Sequence, residues 1–114
     1  MLQGDDVQKI KTIKKQSLLK RALDSLQVTP MHLAAVNPDP AVFKLFFKAN
    51  PSSLVFDAEQ RDLVHYAVAN HNPDVLRLLA QKRVELNNRD AEGFTPLMLA
   101  CKLGRIEAVQ ILLE

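Results

Sequence analysis

Two histidines, His32 and His65, stand 33 residues apart in a chain that contains three. Paired imidazoles are the first residues to weigh for metal binding or proton transfer. A zinc site needs three or four convergent nitrogen, sulfur or carboxylate donors. Beyond this pair the chain offers His71, the single Cys101 and scattered acids, none at ligand spacing, so both histidines are assigned structural roles and no metal is expected. Cys101 cannot form an internal disulfide, and a reactive thiol needs an electropositive, exposed setting for which Lys102 alone is weak support. Gly4, Gly93 and Gly104 are too far apart to cradle a phosphate, and no Gly-x-x-x-x-Gly-Lys occurs. No serine lies in a nucleophile-elbow context, and Asp5-Asp6 reads as terminal and solvated. No cofactor is expected, and the chain is expected not to be an enzyme.

The elements that must position these residues are clearest in the last quarter, Asp90 to Glu114. Thr95 offers a hydroxyl acceptor to unpaired backbone amides, and Pro96 needs no amide partner at a first helical position. Gly104 is placed to end that helix in the left-handed conformation. A second helix follows, with Val109, Leu112 and Leu113 read as one apolar stripe. Such a helix pair cannot bury its apolar faces alone.

It is repeated. Asp24, Asp57 and Asp90 keep a 33-residue register, as do Ala34, Ala67 and Ala100, without insertion. Leu33, Tyr66 and Leu99 share it, as do Phe43, Leu76 and Val109. An internal repeat of this period signals stacked units that bury a common core. The segments Thr29-Pro-Met-His-Leu-Ala-Ala35 and Thr95-Pro-Leu-Met-Leu-Ala-Cys101, with Asp90-Ala-Glu-Gly-Phe94 before the second, resemble the ankyrin repeat. The resemblance covers residues 24–114 and implies an all-α solenoid of helix-turn-helix units (24–56, 57–89 and 90–114) joined by finger-like β-turn linkers. Residues 1–23 form a separate basic N-terminal segment. Repeat two departs from the pattern: Asp62-Leu-Val-His65 replaces Thr-Pro-Leu-His, and His71 stands in a turn-glycine slot, as Pro38 does in repeat one. Asp62 remains a good N-cap and is placed to pair with His65 one turn on.

First helices are expected near 30–36 and 63–70, second helices near 40–49 and 73–82. Asp39-Pro40 and Asn72-Pro73 mark the second-helix starts. Phe43 and Phe46 are expected to dominate the repeat-one layer, each burial being worth about 1.5–3 kcal/mol. Asn50 is expected to take the positive-φ conformation that closes a helix; Arg83 is a poorer choice at the equivalent site.

Length and composition fit one folded domain, 114 residues and 47% hydrophobic, with a net charge of +2. Residues 1–28 hold six Lys or Arg against three Asp, and the rest nine against ten acids, so the N-terminal arm alone is basic. In repeat register Ile10 and Ile13 fall where Phe43 and Phe46 stand, and the arm reads as a degenerate capping helix with a basic outer face. The alternative is binding to an anionic membrane or nucleic acid through Lys9, Lys11, Lys14 and Lys15, although no aromatic is interleaved for base stacking. No apolar run suggests a signal peptide or membrane span, and a cytoplasmic or nuclear location is expected.

The family likeness implies a non-enzymatic protein-interaction surface made of turn tips and first-helix edges on one concave side, with a partner protein and no small-molecule substrate. Mapped onto this chain, the tips contribute Leu26, Val28, Glu59, Arg61, Glu92 and Phe94, and the first-helix edge contributes Asn37, Asn70, Lys102 and Leu103. Val28, Arg61 and Phe94 are expected to form a column. The likeness also implies a hydrogen-bonding role for His32 and His65, with Met98 replacing the third histidine, and a buried, inert Cys101. Asn87, with Leu79, Glu85 and Leu86 before it, resembles the target of asparaginyl hydroxylases that act on such repeats. The apolar end at Ile111, Leu112 and Leu113 is expected to be covered by further repeats or domains, by a partner, or by a second copy. A regulatory or targeting role within a larger enzyme or channel is the alternative reading.

Overall fold

The computed structural model describes residues 25–52 and 54–114; Asp24 and the basic arm with Lys9, Lys11, Lys14 and Lys15 lie outside the described residues. From Pro30 on, six helices follow in pairs among the described residues: α1 (Pro30–Ala35) and α2 (Ala41–Ala49), α3 (Leu63–Ala69) and α4 (Asp74–Gln81), α5 (Pro96–Leu103) and α6 (Ile106–Leu113). Their ends agree with the expected ones to within a residue or so, the ordinary spread of helix boundaries. First helices stack in the order α1, α3, α5, each packed on its own second helix, and α4 packs on α6.

The starts follow from local chemistry. Thr29 and Thr95 accept the backbone N–H of His32 and Met98, each at 3.3 Å. Asp62 accepts that of His65 at 3.0 Å. Before the second helices, side-chain oxygens hand the chain on in steps of two: Asn37 to the N–H of Asp39, and Asp39 to that of Ala41. Asn70 and Asn72 repeat the pattern toward Asn72 and Asp74. These side-chain turns replace the turn glycine that Pro38 and His71 displace.

Helix ends depart from expectation in an instructive way. Asn50 has φ −143° and is not left-handed; its N–H simply closes on the Phe46 carbonyl. Arg83 is left-handed instead, with φ +55°. The reason is a closing motif in which Arg83 N–H meets the Ala80 carbonyl and Val84 N–H the Leu79 carbonyl, which needs a left-handed residue between helix and exit. Gly104, φ +69°, occupies the same place in the same bond pattern after α5.

The core is continuous through the repeats. Phe43 and Phe47 stack at 5.6 Å over Met31, Ala34 and Ala35, and Leu63, Val64, Leu76 and Leu79 are fully buried beyond them. Phe46 was expected in this layer but is 41% exposed, because Phe43 and Phe47 share the inward stripe while Phe46 shares a second, outward one with Val42. In α6 the buried positions are Ala108 and Ile111; Val109 and Leu112 are half-buried and Leu113 is 68% exposed, so the stripe is turned by one residue from that expected. Cys101, expected to be buried, is exposed. It lies on the outer side of the last first-helix, with no described helix stacked beyond it.

Among the described residues the linkers contain no β-strand; each ends in a tight turn, Asp57–Gln60 and Asp90–Gly93. In both turns the aspartate Oδ1 accepts two amides, those of Glu59 and Arg61 or of Glu92 and Phe94. The fourth turn position is left-handed at Gln60 and Gly93, and Gln27 keeps the register. Neighbouring turns join through Ala58 N–H to the Leu26 carbonyl at 2.7 Å and Ala91 N–H to the Glu59 carbonyl at 2.8 Å. No described helix is long and apolar enough to cross a membrane.

Candidate functional site

The two histidines are structural ties between repeats. His32 accepts the Thr29 N–H at Nδ1, 3.0 Å, so its Nε2 carries the proton and donates to the Val55 carbonyl at 2.8 Å. His65 reaches the Phe94 carbonyl at the same distance, and its Nδ1 lies 2.7 Å from the Asp62 carboxylate while the Asp62 N–H recedes to 3.4 Å. The same Nδ1 thus faces both the Asp62 carboxylate and the Asp62 N–H. Burial alone pushes this imidazole down, but its bonds to Asp62 and the Phe94 carbonyl outweigh that and hold it above the usual range. Burial pushes the Asp62 carboxyl up, and its bonds from His65 and Asn88 overcome this and hold it lowered. Among the described residues no group of three metal donors occurs.

The histidines fix the first helices against the following turns, and between them lies a groove of about 320 Å³ lined by Val36, Arg61, His65, Tyr66, Ala69, Leu99 and Leu103. Tyr66 leans on the His32 ring at 4.4 Å and donates its hydroxyl to Asp57 Oδ2. Burial and that bond push its phenol well above the usual range, so it stays protonated. Arg61 crosses to the next turn, 3.8 Å from Asp90 and 4.0 Å from Glu92. Lys102 lies over the Phe94 ring at 5.0 Å, a cation–π contact.

Two of the expected site residues, Arg61 and Leu103, line this groove, and Phe94, Glu92 and Lys102 belong to the cluster beside it. Leu26, Glu59 and Asn37 are exposed, and Val28, Arg61 and Phe94 are half-buried. Asn70 is a correction: it is buried, and its amide donates to the Ala35 and Asn37 carbonyls at 3.0 and 2.9 Å. It staples the repeat-one loop to the repeat-two loop and offers nothing to a partner. Tyr66, Leu99 and Val36 were missed as groove residues. The register already aligned Tyr66 with Leu33 and Leu99, and that column of bulky residues was the available signal. Asn87 is exposed, with its backbone N–H on Glu85 Oε1.

A family model described as ankyrin repeats, in three copies, matches residues 31–114. The B-cell lymphoma 3 protein homolog of Mus musculus and the B-cell lymphoma 3 protein of Homo sapiens are each 33% identical over 95 residues, covering 80% of this chain and 21% of their own length. Rabankyrin-5 of Mus musculus is 34% identical over 89 residues, covering 75% of this chain and 7% of its own. The chain therefore spans about a fifth of the first two relatives and less of the third. With the stacked helix pairs, aspartate turns and histidine ties in one register, the chain belongs to the ankyrin-repeat family.

Proposed function

We propose that this chain is a non-enzymatic protein-interaction module that takes an apolar side chain of a partner protein into the groove between α1, α3 and α5. The observation that carries this reading is the groove itself: Tyr66, Leu99, Leu103 and Val36 form an open apolar slot, and Arg61 stands at its edge. An aromatic and a cation at a partly desolvated slot concentrate binding energy. The tip residues Glu59, Glu92 and Phe94 and the cation of Lys102 form the polar rim. This arrangement supports a scaffolding role. The test is site-specific photo-crosslinking from position 103, identification of the trapped protein, and titration of that purified protein. Arg61→Ala with Leu103→Ser is expected to weaken it by at least about 2 kcal/mol, the scale of a hot-spot truncation. Unchanged affinity with unchanged circular dichroism overturns the reading. The exposure of Asn87 leaves its side chain accessible to hydroxylation at Cβ, which mass spectrometry of the isolated protein reads directly.

A further inference from the structure

Between the second helices of repeats one and two, α2 and α4, lies another groove, of about 460 Å³, lined by Lys44, Phe47, Lys48, Pro51, Leu78 and Lys82. It shares no residue with the Tyr66 groove. Its accessible apolar surface comes from Pro51, which is exposed, and Leu78, which is half-buried, while Phe47 is buried. Its walls are cationic. Lys44 and Lys48, four residues apart, share one face of α2, and Lys82 closes α4 opposite them. No acid lines this groove, and among the described residues none of the three ammonium groups is held in an ion pair.

Three like charges around one apolar slot repel one another, and a ligand carrying carboxylates beside an apolar stripe relieves that repulsion while covering the floor. A slot between two helices suits a third helix laid into it, with side chains inserted at helical spacing. Base stacking has no exposed ring here, since Phe47 is only 3% exposed. A bilayer favours a protruding apolar face with cations around it, whereas this apolar surface is recessed. We infer that the α2–α4 groove docks an acidic amphipathic helix of a partner protein, its apolar stripe on Pro51 and Leu78 and its carboxylates on Lys44, Lys48 and Lys82.

The probe is a fluorescein-labelled peptide of about four helical turns, with glutamates four residues apart flanking a leucine and phenylalanine stripe, read by anisotropy against the full chain. Binding is expected to weaken as salt rises and to fall at least about tenfold in Lys44→Glu/Lys48→Glu/Lys82→Glu. The same peptide with lysines for glutamates is expected to bind that variant and not the wild type. If the triple reversal fails to fold by circular dichroism, the Lys→Gln triple variant is expected to lose the acidic peptide. Arg61→Ala/Leu103→Ser leaves this binding unchanged, which separates it from the Tyr66 groove. No binding of the acidic peptide, no rescue by the charge swap in a folded variant, or lysine-dependent binding only to phosphatidylcholine–phosphatidylserine vesicles overturns the proposal.

Discussion

Asp62 Oδ1 lies 2.7 Å from His65 Nδ1 with both side chains fully shielded from solvent, whereas in repeat one the same histidine nitrogen accepts the Thr29 amide at 3.0 Å. At this helix start a carboxylate thus faces the buried imidazole where repeat one places a hydroxyl, Thr29 Oγ1. The consequence is a pH dependence. Asp62 is lowered, so its contribution is complete above 3.8 and lost as pH falls through its folded value. His65 is raised, so its contribution is complete below 6.5 and lost as pH rises through its folded value. Stability from the pair is therefore greatest between those two limits, and urea titrations across pH are expected to show a maximum there.

Replacing Asp62 separates the cap from the charge. Asp62→Thr keeps an oxygen for the His65 amide and is expected to flatten the pH profile while retaining most of the stability. Asp62→Ala strands the imidazole and the amide together and is expected to cost about 3–5 kcal/mol, the scale of breaking a buried pair. A pH profile that persists in Asp62→Thr sinks the assignment.

Gln60 and Arg83 hold φ of +59° and +55° without the glycine that such geometry favours, while Gly93 and Gly104 occupy the equivalent turn and helix-end positions. A side chain in the left-handed region costs about 1–2 kcal/mol, partly offset by the extra freedom glycine has when unfolded. Gln60→Gly and Arg83→Gly are each expected to raise the melting temperature by a few degrees, about 0.5–1 kcal/mol in stability. Lower melting temperatures in both would contradict the turn geometry.

Asn70 donates to two carbonyls of the preceding repeat from a buried site. Asn70→Ala leaves both acceptors unpaired and is expected to cost about 1–3 kcal/mol in chemical denaturation. Asn37→Ala, at the exposed equivalent position, is expected to cost less, since among the described residues its side chain carries only the local turn bond to Asp39.

The register was legible because its signals are local. Aspartate turns, Thr or Asp caps and apolar spacing each act within a few residues, and the structure repeats them at 57 and 90 and at 29, 62 and 95. What was illegible depends on the neighbouring repeat. Asn70 resembles a surface residue until the Ala35 carbonyl is placed beside it, and Cys101 resembles a core residue until the outer side of α5 is seen without a neighbour among the described residues. Arg83 shows a further limit: a bond pattern between α4 and its exit overrode a residue preference worth only about 1–2 kcal/mol. In the candidate site, Tyr66 was aligned correctly but not recognised as lining a groove, because exposure between stacked helices is not a property of one helix.

The exposure of Cys101 predicts rapid, complete reaction of the native chain with a thiol reagent, at a rate independent of added denaturant below the unfolding transition. Protection that lifts only on unfolding would return Cys101 to the core.

The two phenylalanines of α2 provide the sharpest test of the core. Phe43 is fully buried and stacked on Phe47, so Phe43→Ala is expected to cost about 3–5 kcal/mol through lost burial and the cavity left behind. That approaches the whole stability of a small domain. Phe46, 41% exposed on the outward stripe with Val42, has much less surface to lose, and Phe46→Ala is expected to cost roughly a third as much. Spacing alone made the two residues equivalent candidates, since both lie near the apolar side of α2; what distinguishes them is that the buried cluster shared with residues of α1 and α3 takes in Phe43 and Phe47 and leaves Phe46 out. Equal destabilisation by the two substitutions would mean that a further layer covers Val42 and Phe46 in solution.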